Sequence, residues 1–567
     1  MIKLKSLYLF LIVLVLSMGA ILPLFDAGFF EFHDNTQIAR VYEMANSLND
    51  GMFPVRWVEN LGYGYGYPIF NFYSPLAYYI GGIFSLIGFN LLISTKLMFA
   101  FGILLSGISM FLFSKKFFGN IAGIASATVY MYFPYHAVNI YVRGAVAEFF
   151  AYAFLPLFFL GIFSILDIKK RKEFIFSNIG LILLIAFSVF LITISHNLSI
   201  FMTFLVFVPA QILLLILSKN KGQILIVSLI AISVGFCLSA FYILPAFLEM
   251  NYTNVASVVG GGSDFKDHFI CIGQYWNSIW GYAGSAPGCL DGVSFKLGKT
   301  NIIFVFISTL LLSYALYKKR YGFEEKVTIV SILILLFSFF LTISQSEFIW
   351  KSVPFMPYLQ FPWRFINFIA LFSAFIIGYG VFFAKEKKRL YGIVVSTIII
   401  LVTLFVSLKL FVPQFRIYFV GDNFISQQHI KFNISKISDE YMPRDFIKPQ
   451  SLREIPLDSA YFLGEGRITT VEKNTQYQKY EYNLKTRKKL FINTAYFPSW
   501  KAFVNGEEMK LIKTEKGMET IIPAGNGILE LKFVGTNTQK MSNAISFFSI
   551  VIVTIFMLYS KIKKYGK

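Results

Sequence analysis

The chain has 567 residues, 56% of them hydrophobic and only 14% charged, a balance that excludes a water-soluble enzyme and fits a protein crossing a membrane many times. The formal net charge of +20 does not mark a nucleic-acid binder, because many Lys and Arg residues fall in short clusters between apolar runs, where they act as topology signals. The 66 Phe and 32 Tyr residues suit lipid-facing surfaces and interfacial belts.

The chain starts MIKLKS and continues LYLFLIVLVLSMGAILPLF, which reads as a signal peptide or an uncleaved anchor. About 19 apolar residues without a clear cleavage site favour the anchor. A polar loop over 26–91 follows, opening on GFFEFHDNTQIARVYEMANSLNDGMFPVRW (28–57). After Asp34, residues Ile38, Val41, Tyr42, Ala45 and Leu48 recur at helical spacing, predicting an amphipathic helix along the membrane surface. Asp34 with Gln37 three residues on also fits a helix N-cap. SPLAYYIGGIFSLIGF (74–89) predicts an interfacial helix, since counting it as a crossing would place Lys115, Lys116, Lys169, Lys170, Arg171 and Lys172 outside.

Further spans are predicted near 92–113, 118–137, 147–166, 176–195, 198–217, 223–247, 300–317, 327–345, 365–384, 391–412 and 542–560. With the first, near 7–25, they make an all-α polytopic bundle of about twelve transmembrane helices. Placing both termini inside satisfies the positive-inside rule at every crossing. Cys237 lies in an apolar run and reads as core. Cys271 and Cys289 share one polar loop and could pair in an oxidising compartment. Residues 413–541 carry turn signals at Asn505-Gly506 and Gly525-Asn526-Gly527, and alternation in ILELKFV (528–534), predicting a small extracytoplasmic β domain. This divides the chain into 1–412, 413–541, and a last helix with its basic tail over 542–567.

The same topology gathers ionisable residues from distant positions onto the outer face. Glu31, His33 and Asp34 follow the first span, and Arg143 and Glu148 follow the third in YVRGAVAEFFAY. His196 sits at the turn ISHNLS, Glu249 ends LPAFLEM, and Trp363 and Arg364 stand in LQFPWRF. Arg56 belongs to the first loop. Each has a plainer reading: Arg143 and Glu148 as a structural ion pair, His33 and Trp363 as belt residues, His196 as an interhelical residue, Arg364 as a snorkelling cation. Charges at membrane depth nonetheless cost several kcal/mol unless paired or functional. No HxxxH or HExxH pattern is present, so no metal site is predicted.

A carboxylate, arginines and an apolar groove on one face suit glycosyl transfer from a polyprenyl-phosphate sugar. The leaving phosphate needs a fixed cation, for which Arg143 and Arg364 are the candidates. The acceptor hydroxyl needs a base within hydrogen-bond reach, for which Asp34 is the candidate. The alternatives are a lipid-linked sugar flippase or transporter, or a non-catalytic envelope-assembly protein.

A first outer loop with an acidic residue just past the first span, an interfacial helix and then a span ending in a basic pair resembles the GT-C glycosyltransferases. FHDNTQIARVYEM, FPVRWVENLGYGYGYPIFNFYSPLAYY, YVRGAVAEFFAY, ISHNL, LPAFLEM, LQFPWRF and YFPSWKAFVNGEE together are similar to bacterial membrane proteins carrying the "6-pyruvoyl-tetrahydropterin synthase-related domain", with a looser likeness to YfhO-type membrane proteins. The resemblance implies Asp34 as base or metal ligand, with Glu31 in reserve and His33 beside them. It implies Tyr65, Tyr67, Arg56, Glu148, His196, Glu249 and Trp363 around the substrates. It implies a polyprenyl-phosphate-linked donor, a glycan, lipid or protein acceptor, surrounding membrane lipids and no nucleic acid. A DxD pattern is absent, so no cofactor is required by this reading, with a divalent cation left as an alternative. The five His residues show no ligand set of a pterin synthase. The implied place is the plasma membrane, with the active site on the extracytoplasmic face.

Overall fold

Apolar helices account for most of the first two thirds of the chain, and strands cluster before the final helix. The computed structural model describes residues 2–167, 178–255, 261–418, 426 and 428–565; the basic cluster from Lys169 to Lys172 lies outside the described residues. Nine helices among them are long and apolar enough to cross a membrane. A tenth arises if Phe323–Phe340 and Ser344–Ser352, bent by 92°, form one broken span. Helices satisfy their own backbone hydrogen bonds, so a segment apolar on all sides can face lipid or protein alike. The helix over Pro362–Lys387 is buried along its whole apolar stretch and forms the centre of the bundle, with Val146–Asp167 and Leu91–Phe118 also largely enclosed.

Besides this bent pair, which falls on the span predicted over 327–345, three predicted spans differ in detail. The sequence predicts one run over 118–137, but the helix Asn120–Met131 stops short of Pro134. Phe133, the residue before that proline, is extended at φ −63°, ψ 135°, as the proline ring demands of its predecessor. The run over 223–247 divides at Ser239 into Lys221–Leu238 and Ala240–Leu248. The helix Ile179–Ser195 has 17 residues. Cys237 is exposed rather than core, because it falls on the outward side of its helix. Cys271 and Cys289 are joined as a disulfide, their Cα atoms 6.0 Å apart.

The expected interfacial helix is Leu76–Leu86, whose 11 residues span about 16 Å, too little to cross a bilayer. It packs on the amphipathic helix Gln37–Asn49, where Gly81 allows close approach of Val41.

The strands run β1 (Phe29–Phe30), β2 (Arg416–Ile417), β3 (Ala460–Phe462), β4 (Arg467–Asn474), β5 (Tyr477–Leu484), β6 (Lys488–Ile492), β7 (Trp500–Val504), β8 (Glu507–Met509), β9 (Ile512–Thr514), β10 (Gly517–Ile522) and β11 (Gly525–Phe533). The later strands form two sheets, ordered β3-β6-β10-β9 and β4-β5-β11-β7-β8, with every pairing antiparallel. Alternation puts Trp500, Ala502 and Val504 of β7 and Leu529 and Leu531 of β11 inside, with Leu490, Ile492 and Met518 of the other sheet also buried. β1 pairs with β2, joining the first loop to the segment after the helix Arg389–Ser407.

Candidate functional site

Aromatic packing fixes the loop before it reaches Asp34. Phe29, Phe30 and Phe32 are buried against one another and against Phe99 and Tyr141. Asp26 pairs with Arg416 beside the β1–β2 bridge. Burial of Phe32 turns its neighbours Glu31, His33 and Asp34 outward, all three exposed. The His33 N–H donates to the Val142 carbonyl and the Asp34 N–H to the Arg143 carbonyl, each at 3.0 Å. The Gln37 amide donates to the carbonyls of Asp34 (3.2 Å) and Gly144 (2.8 Å), and Tyr78 donates to the Gln37 oxygen at 2.5 Å. His33 Nε2 donates to the Tyr282 carbonyl at 2.6 Å.

The Asp34 carboxylate does not cap the following helix. That helix begins at Gln37 with Thr36 at the N-cap and no side-chain capping bond. The carboxylate makes no hydrogen bond or ion pair with a described residue, yet lies within electrostatic reach of Arg143 and Arg364.

Arg143 follows a π-helical turn over Val138–Val142, an irregularity frequent at functional positions. Gly144 then takes φ +64° directly against the Phe32 ring, where any Cβ would collide, and the chain enters the helix Val146–Ser164 with Glu148 in its first turn. Glu148 is 2% exposed and answers two guanidinium groups. Arg143 reaches it at 2.9 Å and Arg364 at 3.4 Å, while Tyr135 and Asn367 donate to its other oxygen at 2.7 and 2.8 Å. Arg143 also donates to Asn139 (2.6 Å) and Tyr135 (3.1 Å), and lies 4.4 Å from the Trp363 ring centre.

Two buried cations thus share one buried anion, leaving a surplus positive charge beside exposed Asp34. Buried polar atoms without a hydrogen-bond partner lie beside it: the Trp363 indole N–H and Asn139 amide nitrogen as donors, and the Asn367 amide oxygen as an acceptor. A buried cluster with excess positive charge is suited to an anionic oxygen ligand.

The structure brings together Asp34, Arg143, Glu148, Trp363 and Arg364, with His196 in electrostatic reach of Arg143, Glu148 and Arg364 and bonded through Nδ1 to the Ser199 hydroxyl at 2.8 Å. Glu31 and His33 stay on the exposed edge of this group. Arg56 and Glu249 belong to a second buried network. Arg56 donates to the Asn71 and Asn543 side chains and the Phe241 carbonyl, while Asn71 and Gln539 donate to Glu249 at 2.8 and 2.9 Å. Tyr65 stacks edge-on to Phe446 and accepts from the Ala495 N–H through its carbonyl; the Tyr67 hydroxyl accepts from the Tyr441 N–H. Among the described residues, no group of three or more His, Cys, Asp and Glu could hold a metal ion.

Sequence reasoning missed Tyr135, Asn139, Asn367 and Tyr78, and took Gln37 only as a capping partner. Asn139 and Asn367 had a signal, as amides inside apolar stretches four residues before Arg143 and three after Arg364. Tyr135 and Tyr78 are lost among the 32 tyrosines.

An uncharacterised protein of Lactococcus lactis subsp. cremoris (strain MG1363) is 26% identical over 354 residues, covering 60% of this chain and 54% of its own length. The chain therefore spans about half of that relative. Among solved structures, the Archaeoglobus fulgidus oligosaccharyltransferase complexed with Zn and sulfate aligns with a TM-score of 0.46 and 12% identity, over 79% of this chain and 58% of that one. The arabinofuranosyltransferase AftD from Mycobacteria aligns with a TM-score of 0.46 and 13% identity, over 74% and 28%. Residues 70–262, which hold Arg143, Glu148, His196 and Glu249, match the family model described as "6-pyruvoyl-tetrahydropterin synthase related domain; membrane protein".

Proposed function

We propose that this protein is a membrane glycosyltransferase that moves a sugar from a polyprenyl-phosphate donor to a cell-envelope glycan, lipid or protein acceptor on the outer face of the plasma membrane, both termini being cytoplasmic. The observation that carries this reading is the buried pair of arginines on a single glutamate, with an uncommitted carboxylate hung from the backbone of one of them. Asp34 takes the proton from the acceptor hydroxyl as its oxygen attacks the sugar's anomeric carbon. The bond from that carbon to the phosphate oxygen breaks, and its electron pair leaves with the phosphate. Arg143 and Arg364 stabilise the anion so formed. Glu148 holds the two arginines near each other, and His196 adjoins them. One displacement inverts the anomeric centre. The exposed apolar faces of neighbouring helices accommodate the polyprenyl tail. No cofactor of the protein's own enters this scheme; a divalent cation on the donor's phosphate is the alternative.

The test is mass spectrometry of surface glycans and lipid-linked sugars from cells with the wild type, with Asp34→Asn, and without the protein. Loss of a glycan modification in Asp34→Asn, with normal membrane insertion and donor lipid accumulating, is the expected result. An unchanged modification in that variant overturns the assignment of Asp34. Lipid-linked sugar trapped inside only when the protein is missing favours transport instead.

A further inference from the structure

The β region contains a cleft of about 430 Å³ away from the charged cluster just described. It lies between the β6–β7 connection, which carries Tyr496 and Pro498, and the β8–β9 link, which carries Lys510. Its volume is in the range of about 300–1,000 Å³ usual for small-molecule sites.

The lining has a definite chemistry. Tyr496 is half-buried, and its hydroxyl makes no hydrogen bond with a described residue. Pro498 adds a second flat apolar surface. Trp500 packs its ring against Trp57 and Phe533, with centroids 5.6 and 5.4 Å away, yet its buried indole N–H has no partner. Lys501 is neutralised by Glu508 at 2.5 Å. Lys510 is exposed on the rim without an ion pair. The cleft thus offers apolar ring surface, an unmatched hydroxyl from Tyr496, one surplus cation, and a paired carboxylate able to accept.

We propose that this cleft binds an acidic saccharide: a pyranose ring laid against Tyr496 and Pro498, its hydroxyls meeting Glu508, and its carboxylate facing Lys510. Aromatic and proline surfaces suit the C–H face of a sugar ring, and a single rim cation selects charge without contributing much affinity. The inference is independent of the transfer reaction, because it concerns binding alone.

The experiment is saturation-transfer-difference NMR on the full chain in lipid nanodiscs, with methyl β-D-glucuronide and methyl β-D-glucoside as probes. The expected result is transfer to the ring protons of the glucuronide, weaker transfer to the glucoside, and loss of both in Tyr496→Ala. In Lys510→Ala the glucuronide preference falls roughly three-fold, the scale of an exposed ion pair. Because Lys510 is exposed, that variant tests the charge without disturbing the core, and an unchanged near-ultraviolet circular dichroism spectrum establishes that Tyr496→Ala remains folded. Absence of transfer from both sugars, or transfer indifferent to both substitutions, overturns the proposal. Equal transfer from the two sugars overturns its acidic specificity.

Discussion

Glu148 is the residue on which the candidate site turns. Its carboxylate is the only buried anion shown in ion-pair contact with Arg143 and Arg364 among the described residues. Removing one partner of such a cluster costs roughly 3–5 kcal/mol, because the remaining charge stays buried. Glu148→Ala is therefore expected to lower the melting temperature of the purified protein clearly, whereas the exposed Asp34→Asn leaves it nearly unchanged; equal melting of both variants would refute this distinction. Glu43 offers a separate test on the surface helix. It is buried, with Oε2 accepting from the N–H groups of Glu59 and Asn60 and Oε1 unpartnered. Burial pushes its carboxyl up to about 7. The folded state therefore holds a proton that the unfolded chain releases at lower pH, so this group's contribution to stability falls as pH rises from the ordinary carboxylate range through about 7. Glu43→Gln removes that dependence. Its melting temperature relative to wild type is expected to rise between about pH 5 and pH 8, and a flat difference would contradict the burial argument. The charged candidates were legible as types, because Arg143, Glu148 and Arg364 interrupt apolar runs. Their sharing of Glu148 was not, since it depends on a crossing between two helices that lie far apart in sequence.

At the level of elements, the Asp34 loop is positioned by three neighbours: the π-helical turn before Arg143, the helix that starts at Gln37, and the stapled loop that carries Tyr282. Gly144→Ala places a Cβ into the Phe32 ring at a positive φ, a backbone cost of about 1–2 kcal/mol before any overpacking. Increased hydrogen exchange over 29–36 is the expected consequence, and unchanged exchange would show that the turn is not what holds the loop. Replacing Cys271 and Cys289 by serine is expected to weaken the link from His33 to Tyr282, with a stability loss of about 3 kcal/mol for a loop of this length, read by denaturant melting. Most spans were legible from hydropathy alone, those carrying Pro156 and Pro209 included, whereas the division at Ser239 and the bend after Phe340 fall inside apolar runs that hydropathy reads as continuous. The break before Pro134 had a visible signal, but the surrounding apolar run masked it. The sheet was legible from alternation in ILELKFV, whereas its strand order depends on pairings between distant segments that local pattern does not encode.

Across the whole molecule, the first loop is built into structure made much later in the chain. Asn71 accepts from Arg56 and from Gln539 at the start of the last helix and donates to Glu249, which also accepts directly from Gln539. Asn71→Ala removes the side-chain bonds of Asn71, and faster hydrogen exchange over 537–546 is the expected outcome; unaltered exchange there would mean that the direct bonds from Gln539 to Glu249 and from Arg56 to Asn543 hold the start of the helix without it. The same dependence appears at Asp50, which accepts from Thr475, and at Arg40, which donates to Ser438 across a sequence separation of 398. During synthesis the loop carrying Asp34 must therefore wait for partners not yet made. At about 5–20 residues per second the wait is on the order of half a minute. Throughout that interval Arg40 lacks its serine and β1 lacks its companion strand, so a ribosome-bound chain stopped before Arg416 exposes an unfinished surface, and chaperones of the membrane-insertion machinery have a defined interval in which to act.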